Sequence, residues 1–494
     1  MSTSQPARHA RLQSGVSVTD LTAARIAAAG ATRTALHPLR FTGTELVKIA
    51  RLPLVWAFVA VFALVNLMLA ATVPANTVAL HNYASAVTVT IGGRTGTDFS
   101  RKLAQVDTGS VKSGNGTVAD ITNDTAAGGT TPGVPAATNT SPSQSTAGTD
   151  DTAADSTAAD ASPTQETNAT DAIVITARIP ADSTLTDDEL HRQLTAVTAG
   201  VTNTLASYDP SPMRDAMLTQ VAGDPVATWL MQRKYDAYAA RVTHLTATGA
   251  AMDLAAGTAT DDTLLHWSRM TGYLFFETCA LAVLLMALAL GSERTSGTEQ
   301  LLMTTRTGRR LTAPKIAAGL IATATAYLML VAAIVVPYLM VFDVRGVWSA
   351  SVSSQFNTVF GQQPFITWWD LTIGQYLFVR LALGLAVTLC FALFTAVLEL
   401  LIRDTFAVAG LAGVAVLLVI GLVGAARSLG LPWLAWVGGF NPVGVLLLRE
   451  QWFTELGLDA PTAFWETGVT ACSLMYLTAG VLLARRSFNR KDLK

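Results

Sequence analysis

Glu277 and Arg380 each sit near the start of a long apolar run, and a dense group of charges, "SERTSGTEQLLMTTRTGRRLTAPK" (292–315), separates two such runs. An ionisable side chain inside an apolar segment is costly and marks a functional or pairing position. Glu277 and Arg380 fall at similar depth, so either they pair or each snorkels to the surface alone. Glu399 and Arg403, four residues apart, read as a local helix pair. Other chemistry lacks residues. The chain has no G-x-x-x-x-G-K-[ST], hence no P-loop for ATP, and no H-E-x-x-H, C-x-x-C or G-x-S-x-G. Its six histidines lie outside the apolar runs, while Cys279, Cys390 and Cys472 lie inside them, far apart, as packing residues. No catalytic residue, metal site or bound cofactor is expected in this chain.

The elements that must position these residues are membrane spans. With 51% apolar and 14% charged residues, the 494-residue chain is too apolar for an ordinary soluble enzyme. A bilayer core needs about 20 apolar residues per helix. Six stretches qualify: 52–73, 273–290, 316–342, 377–402, 406–426 and 467–484. The first follows about 50 mostly polar residues and reads as a signal anchor, not a cleaved leader. Basic residues cluster before the first run, between the second and third, and after the sixth. Both termini and the 292–315 stretch are therefore expected in the cytoplasm. A net charge of -2 gives no case for nucleic acid.

Residues 1–51 read as a cytoplasmic tail. It ends in "GTELVKIARLPL" (43–54), which forms either a short interfacial helix or an extension of the first span. Residues 75–271 form an extracytoplasmic insertion. Its middle, 108–171, has no aromatic residue and is expected to be disordered. The four Asn-x-Ser/Thr sites there, at Asn115, Asn123, Asn139 and Asn168, carry little weight in so Thr-rich a tract. "AVTVTI" (86–91) and "AIVITARI" (172–179) alternate as strands do and are expected to pair. Thr186 and Glu189 make a capping box for a helix carrying Leu190, Leu194, Val197, Val201 and Leu205. Met231, Tyr235, Tyr238, Val242 and Leu245 mark another helix. Residues 272–494 pack five spans, and the apolar but interrupted 440–458 is expected to dip into the outer leaflet as a helix pair. Ala409, Gly413, Gly421 and Ala425 give the fifth span a small-residue stripe suited to close helix packing.

Within 292–315, Gly297 permits a sharp exit from the second span, and Thr298 caps a short helix bearing Leu301, Leu302 and Met303. Thr312 and Pro314 restart a helix. Two leucines flanked by Arg306, Arg309 and Arg310 fit either an amphipathic inner-leaflet helix or a docking knob for a soluble partner. The run Glu293, Gly297, Thr298, Gln300, Leu301, Leu302, Thr304, Arg309, Arg310 and Lys315 resembles the cytoplasmic loop of type-2 exporter permeases of the ATP-binding cassette (ABC) superfamily. Gln300, beside Glu299, stands where that family's second glutamate is usual. The six-span layout over 40–494, Asn441-Pro442 and the basic tail "RRSFNRKD" resemble the family as well, whereas the insertion is far longer than in its short members.

The resemblance implies that 292–315 is a coupling helix gripped by a separate ATPase subunit, which holds ATP and Mg. It also implies a second permease, identical or not, with the second and fifth spans lining an exit path. The expected fold is all-α and polytopic: six transmembrane helices with a small α+β insertion. The expected function is the permease half of an ABC exporter. The alternative from another class is a membrane-anchored receptor that binds through its insertion without transport.

Overall fold

The computed structural model describes residues 37–107, 112–113, 173–254, 260–298, 311–359, 363–402 and 404–490. The fold is mostly helical. Six helices are long and apolar enough to cross a membrane: α2 (Pro53–Ala71), the Trp267–Arg294 part of α8 (Thr260–Thr295), α9 (Thr312–Val341), α10 (Ile373–Leu401), α11 (Thr405–Ser428) and the Trp465–Phe488 part of α14 (Trp465–Arg490). They correspond one for one to the six apolar runs. Leu54, Trp56, Leu64 and Met68 of α2 and Phe406, Leu417 and Leu418 of α11 are exposed. A band of large apolar side chains facing outward is stable in lipid and not in water, so the chain is a multi-pass membrane protein.

The spans run alternately between two ends of the bundle. Among the described residues, one end carries 296–298 and Leu311, and the other carries 72–107, 173–254 and the connections at 342–359, 363–372 and 429–464. The 43–54 stretch belongs to a separate helix, α1 (His37–Ala50), and not to an extension of the first span. The chain breaks at Arg51–Leu52 and Pro53 restarts it, where a missing N–H costs nothing. Ile49 and Glu45 of α1 are buried against the bundle. In the bundle core α8 and α10 approach most closely at Gly384, where an added Cβ would lie 2.1 Å from the Phe275 ring. That contact demands glycine.

The insertion is helical where strands were expected. Residues 86–91 continue α3 (Ala75–Ile91) and pair with no strand. The alternating threonines misled because their hydroxyls bond within their own helix. Thr88 and Thr90 bond back to the carbonyls of Ala84 and Ala86, four residues earlier. With Val78, Ala79, Tyr83 and Val87 buried, α3 is enclosed over most of its surface. Of 173–179, β2 (Thr176–Ala177) pairs in parallel with β1 (Lys112–Ser113), and Ile173 makes an isolated parallel bridge to Val106. The two short stretches β3 (Thr358–Val359) and β4 (Gln363–Pro364) pair antiparallel. The 108–171 tract, apart from β1, and its sequons lie outside the described residues. After α4 (Thr97–Leu103), α5 (Asp187–Thr198) starts at Thr186, whose hydroxyl accepts from the Glu189 N–H. It ends at Thr198, so Val201 lies beyond it and Leu205 sits in a 3-10 turn, Thr204–Ala206. α6 (Ser211–Val221) leads to α7 (Pro225–Thr248), which buries Met231, Tyr235, Tyr238, Val242 and Leu245 as their spacing predicts.

Those five residues share one apolar cluster with Ile366 and Trp436, from the bundle's own connections. The insertion is interlocked with the bundle at other points too. Asn82 accepts from the Asp343 N–H at 2.6 Å and donates to the Val341 carbonyl at 3.0 Å. Arg178 donates to the Met340 carbonyl at 2.8 Å, and Ser85 accepts from the Gly346 N–H at 3.0 Å. No helix pair fills 440–458: α12 (Pro432–Gly439) precedes it, and within it the short α13 (Pro442–Leu447), capped by Asn441, which accepts from the Val443 and Gly444 N–H groups, is followed by 3-10 turns at Arg449–Gln451 and Gly457–Asp459.

Candidate functional site

The neck of the 296–311 loop is the most heavily built charged site in the bundle. At the end of α8, Gly297 adopts φ 69°, and its N–H donates to the Arg294 carbonyl at 3.1 Å. The Thr298 N–H donates to the Glu293 carbonyl at 3.0 Å. These two bonds are a Schellman cap, which satisfies carbonyls the helix end would otherwise leave open. The chain re-enters at α9, whose Lys315 pairs with Glu293 and also faces Glu45 at 3.9 Å. Lys48 lies 2.7 Å from Glu45 and 3.5 Å from Glu293. Two lysines and two glutamates from α1, α8 and α9 thus close the neck with no net charge. Beside them Arg294 pairs with Glu399 of α10 at 2.8 Å.

Of the residues expected in the loop, Glu293, Gly297 and Thr298 are placed at this neck. Glu299, Gln300, Leu301, Leu302, Arg309 and Arg310 lie outside the described residues. Arg403, the partner expected for Glu399, lies outside them also; among the described residues Glu399 pairs with Arg294.

Of the two alternatives for Glu277 and Arg380, the structure contains neither the pair nor an Arg380 that reaches the surface. Arg380 is buried and donates to Thr271 Oγ1 and the Tyr376 hydroxyl, both at 2.9 Å, and to the Ser268 carbonyl at 3.3 Å. Its guanidinium also stacks near Phe275, Tyr376 and Trp452. Glu277 instead accepts from Asn66 Nδ2 of α2. Each is bonded by neutral neighbours and not by the other. The small-residue stripe of α11 faces outward. Ala409, Gly413, Gly421 and Ala425 are exposed, and a Cβ on either glycine would meet nothing within 4 Å. The face of α11 that packs inward is Val408, Ala412, Val423 and Ala426.

Sequence reasoning missed Asn66, although a lone amide in an otherwise apolar span was signal enough. It also missed Lys234, which reads as the polar face of an amphipathic helix. Lys234 is buried, donates to the Ala460 carbonyl at 3.0 Å and pairs with Glu455 at 3.3 Å. Burial pulls its ammonium well below the usual lysine range, against the opposing pull of Glu455. No sequence signal existed for it, because its partners are more than 200 residues away. An apolar cavity of about 420 Å³ lies among α10, α11, α13 and α14, lined by Phe391, Phe394, Val416, Val419, Tyr476 and Leu477. Its walls suit an acyl chain or another apolar group. Among the described residues no three His, Cys, Asp or Glu side chains gather as metal ligands would. The chain matches no protein-family model, no curated protein and no solved structure.

Proposed function

We propose that the chain is the permease subunit of an ABC-type exporter, driven by a separate ATPase that grips residues 292–315. The neck is the observation that carries this reading. A connection between two spans needs no four-charge clasp and no additional helix, α1, buttressing it, unless force passes through it. Held at Glu293 and Lys315, a push on the loop would move α8 and α9 together, and Arg294 would pass it to α10. Leu301 and Leu302 fit the groove of a soluble partner, where each contributes roughly 1.5–3 kcal/mol on burial. The resemblance of 293–315 to the coupling loop of type-2 exporter permeases supports the same assignment.

In this reading, residues 1–51, the loop and the basic tail are cytoplasmic. ATP and Mg are held by the ATPase, and transport proceeds by alternating access without bond chemistry in this chain. The outward small-residue stripe of α11 supports a second permease copy seated there. The test is purification of the protein from its native membrane, with and without Leu301→Asp plus Leu302→Asp. The unaltered chain should bring down an ATPase and the double variant should not. Equal ATPase activity in both preparations overturns the proposal.

A further inference from the structure

Asn66 and Glu277 are the polar pair that neither the neck nor the interlocked insertion accounts for. Asn66 is fully buried in α2, and Glu277 is half-buried on α8, ten residues along from Trp267, or about 15 Å of helix. Asn66 Nδ2 donates to Glu277 Oε2 and to the Phe62 carbonyl at 2.8 Å. The second bond fixes the amide's orientation, since a carbonyl only accepts and the atom between both acceptors must be nitrogen. Asn66 Oδ1 is thereby left buried without a donor. Among the described residues, Glu277 has no cation beside it.

The ionisable groups on the elements around it are engaged elsewhere or absent. α2 carries none. On α8, Arg269 and Tyr273 are exposed and Cys279 is buried. On α9, Lys315 is at the neck, the Tyr327 hydroxyl donates to the Leu381 carbonyl and Tyr338 stacks on Phe342. On α10, Arg380 is held by Thr271 and Tyr376, and Glu399 by Arg294. His81 of α3 is bonded to the Asp343 carbonyl. On α1, Glu45 and Lys48 belong to the neck. On α11, Arg427 pairs with Asp459. Arg449 lies over the Phe276 ring and pairs with Glu450.

We propose that Glu277 and Asn66 form a proton-binding site within the membrane, with Glu277 held as the carboxylic acid. A proton taken from solvent sits on Glu277 Oε1 and is donated to Asn66 Oδ1, while Asn66 Nδ2 donates to Oε2. The result is a closed acid–amide pair with every buried polar atom satisfied. Loss of the proton leaves an unpaired carboxylate against lipid and an orphaned amide oxygen, both expensive. The site exists whatever the chain transports.

Infrared spectroscopy on the purified, full-length protein with isotope-labelled glutamate tests it. At pH 6 the spectrum should contain a protonated-carboxyl carbonyl component that Glu277→Gln removes and Asn66→Ser shifts. Glu399→Gln and Glu466→Gln serve as controls for the two buried glutamates that each have an unbonded carboxyl oxygen. Glu277→Gln should fold, since an amide reproduces both hydrogen bonds. Should Glu277→Gln not elute intact, Asn66→Ser carries the spectral test alone. An unshifted protonated component in Asn66→Ser, or loss only of carboxylate signal in Glu277→Gln at pH 6, overturns the assignment.

Discussion

Arg294 ties the end of the second span to the end of the fourth: its guanidinium meets Glu399 Oε2 at 2.8 Å, the Glu399 carbonyl at 3.1 Å and the Ile402 carbonyl at 3.2 Å. One side chain therefore neutralises a fully buried carboxylate and caps the last carbonyls of α10, where a cation also suits the helix dipole. Arg294→Ala should cost about 3–5 kcal/mol by leaving Glu399 buried and unpaired. Arg294→Met with Glu399→Met should recover most of it. Chemical denaturation in detergent micelles measures both, and an undiminished single variant contradicts the burial of that pair.

Stability should also weaken in mild acid because of His81. Its ring is buried, edge-on to Phe342, with Nε2 donating to the Asp343 carbonyl at 3.1 Å. Burial lowers its pKa from 6.5 to about 4, against the opposing influence of Asp343. Between those values the unfolded chain takes up a proton and the folded chain does not. The contribution is thus intact above pH 6.5 and lost progressively as pH falls toward 4, by roughly 3 kcal/mol in all. His81→Gln should flatten the difference in unfolding temperature between pH 7 and pH 4.5, and an unchanged slope rules His81 out.

Lys234→Met keeps the aliphatic stem and removes the charge. It leaves the Ala460 carbonyl and part of Glu455 without a donor, at about 1–3 kcal/mol for each buried group. The seam between α7 and 455–460 should open first, read as faster amide exchange there than in α8. Uniform exchange across both regions would show that the lysine is not a local fastener.

Orientation is checked by labelling. Cysteines placed at Ser145 and Thr307, in a Cys472→Ala background since Cys279 and Cys390 are buried, should differ on intact cells. An impermeant thiol reagent should modify the first and spare the second. The reverse pattern removes the ATPase from consideration, because the loop would then face away from ATP.

The docking face can be graded by residue. Arg309→Ala should weaken ATPase co-purification far less than the paired leucine changes, since an exposed charge contributes under about 1 kcal/mol. A larger effect for the arginine would mark the loop as a charge-reading surface instead of an apolar knob.

The spans were legible because length and apolarity alone define them, and Gly297 and Pro53 mark a turn and a break through chemistry that no tertiary context overrides. Legibility ended where helix rotation mattered. The stripe from Ala409 to Ala425 was correctly seen to share a face, but nothing in its spacing says which way that face turns. Glu277 and Arg380 were placed at one depth, yet depth without azimuth does not decide contact, and Thr271, Tyr376 and Asn66 lay nearer. The alternation of "AVTVTI" was real but reported threonines bonded to their own helix, a pattern local periodicity cannot distinguish from a half-buried strand. At the neck, the sequence named Glu293 and Lys315 but not their clasp with Glu45 and Lys48, which depends on α1 folding back.

Asn82, Ser85 and His81 are buried on α3, and their partners are the backbone of residues 341–346, some 260 positions later. During synthesis the insertion is therefore complete in length long before it can be complete in structure. Its central helix must wait, polar groups open to water, until the third span has been threaded and its far end delivered. A chain stopped after residue 330 should leave 75–107 and 173–254 open to protease, whereas one extended past 372 should protect them. The segment reads on paper as a module between two spans, yet it matures only with the span that follows both, so the order of assembly runs backwards along the chain.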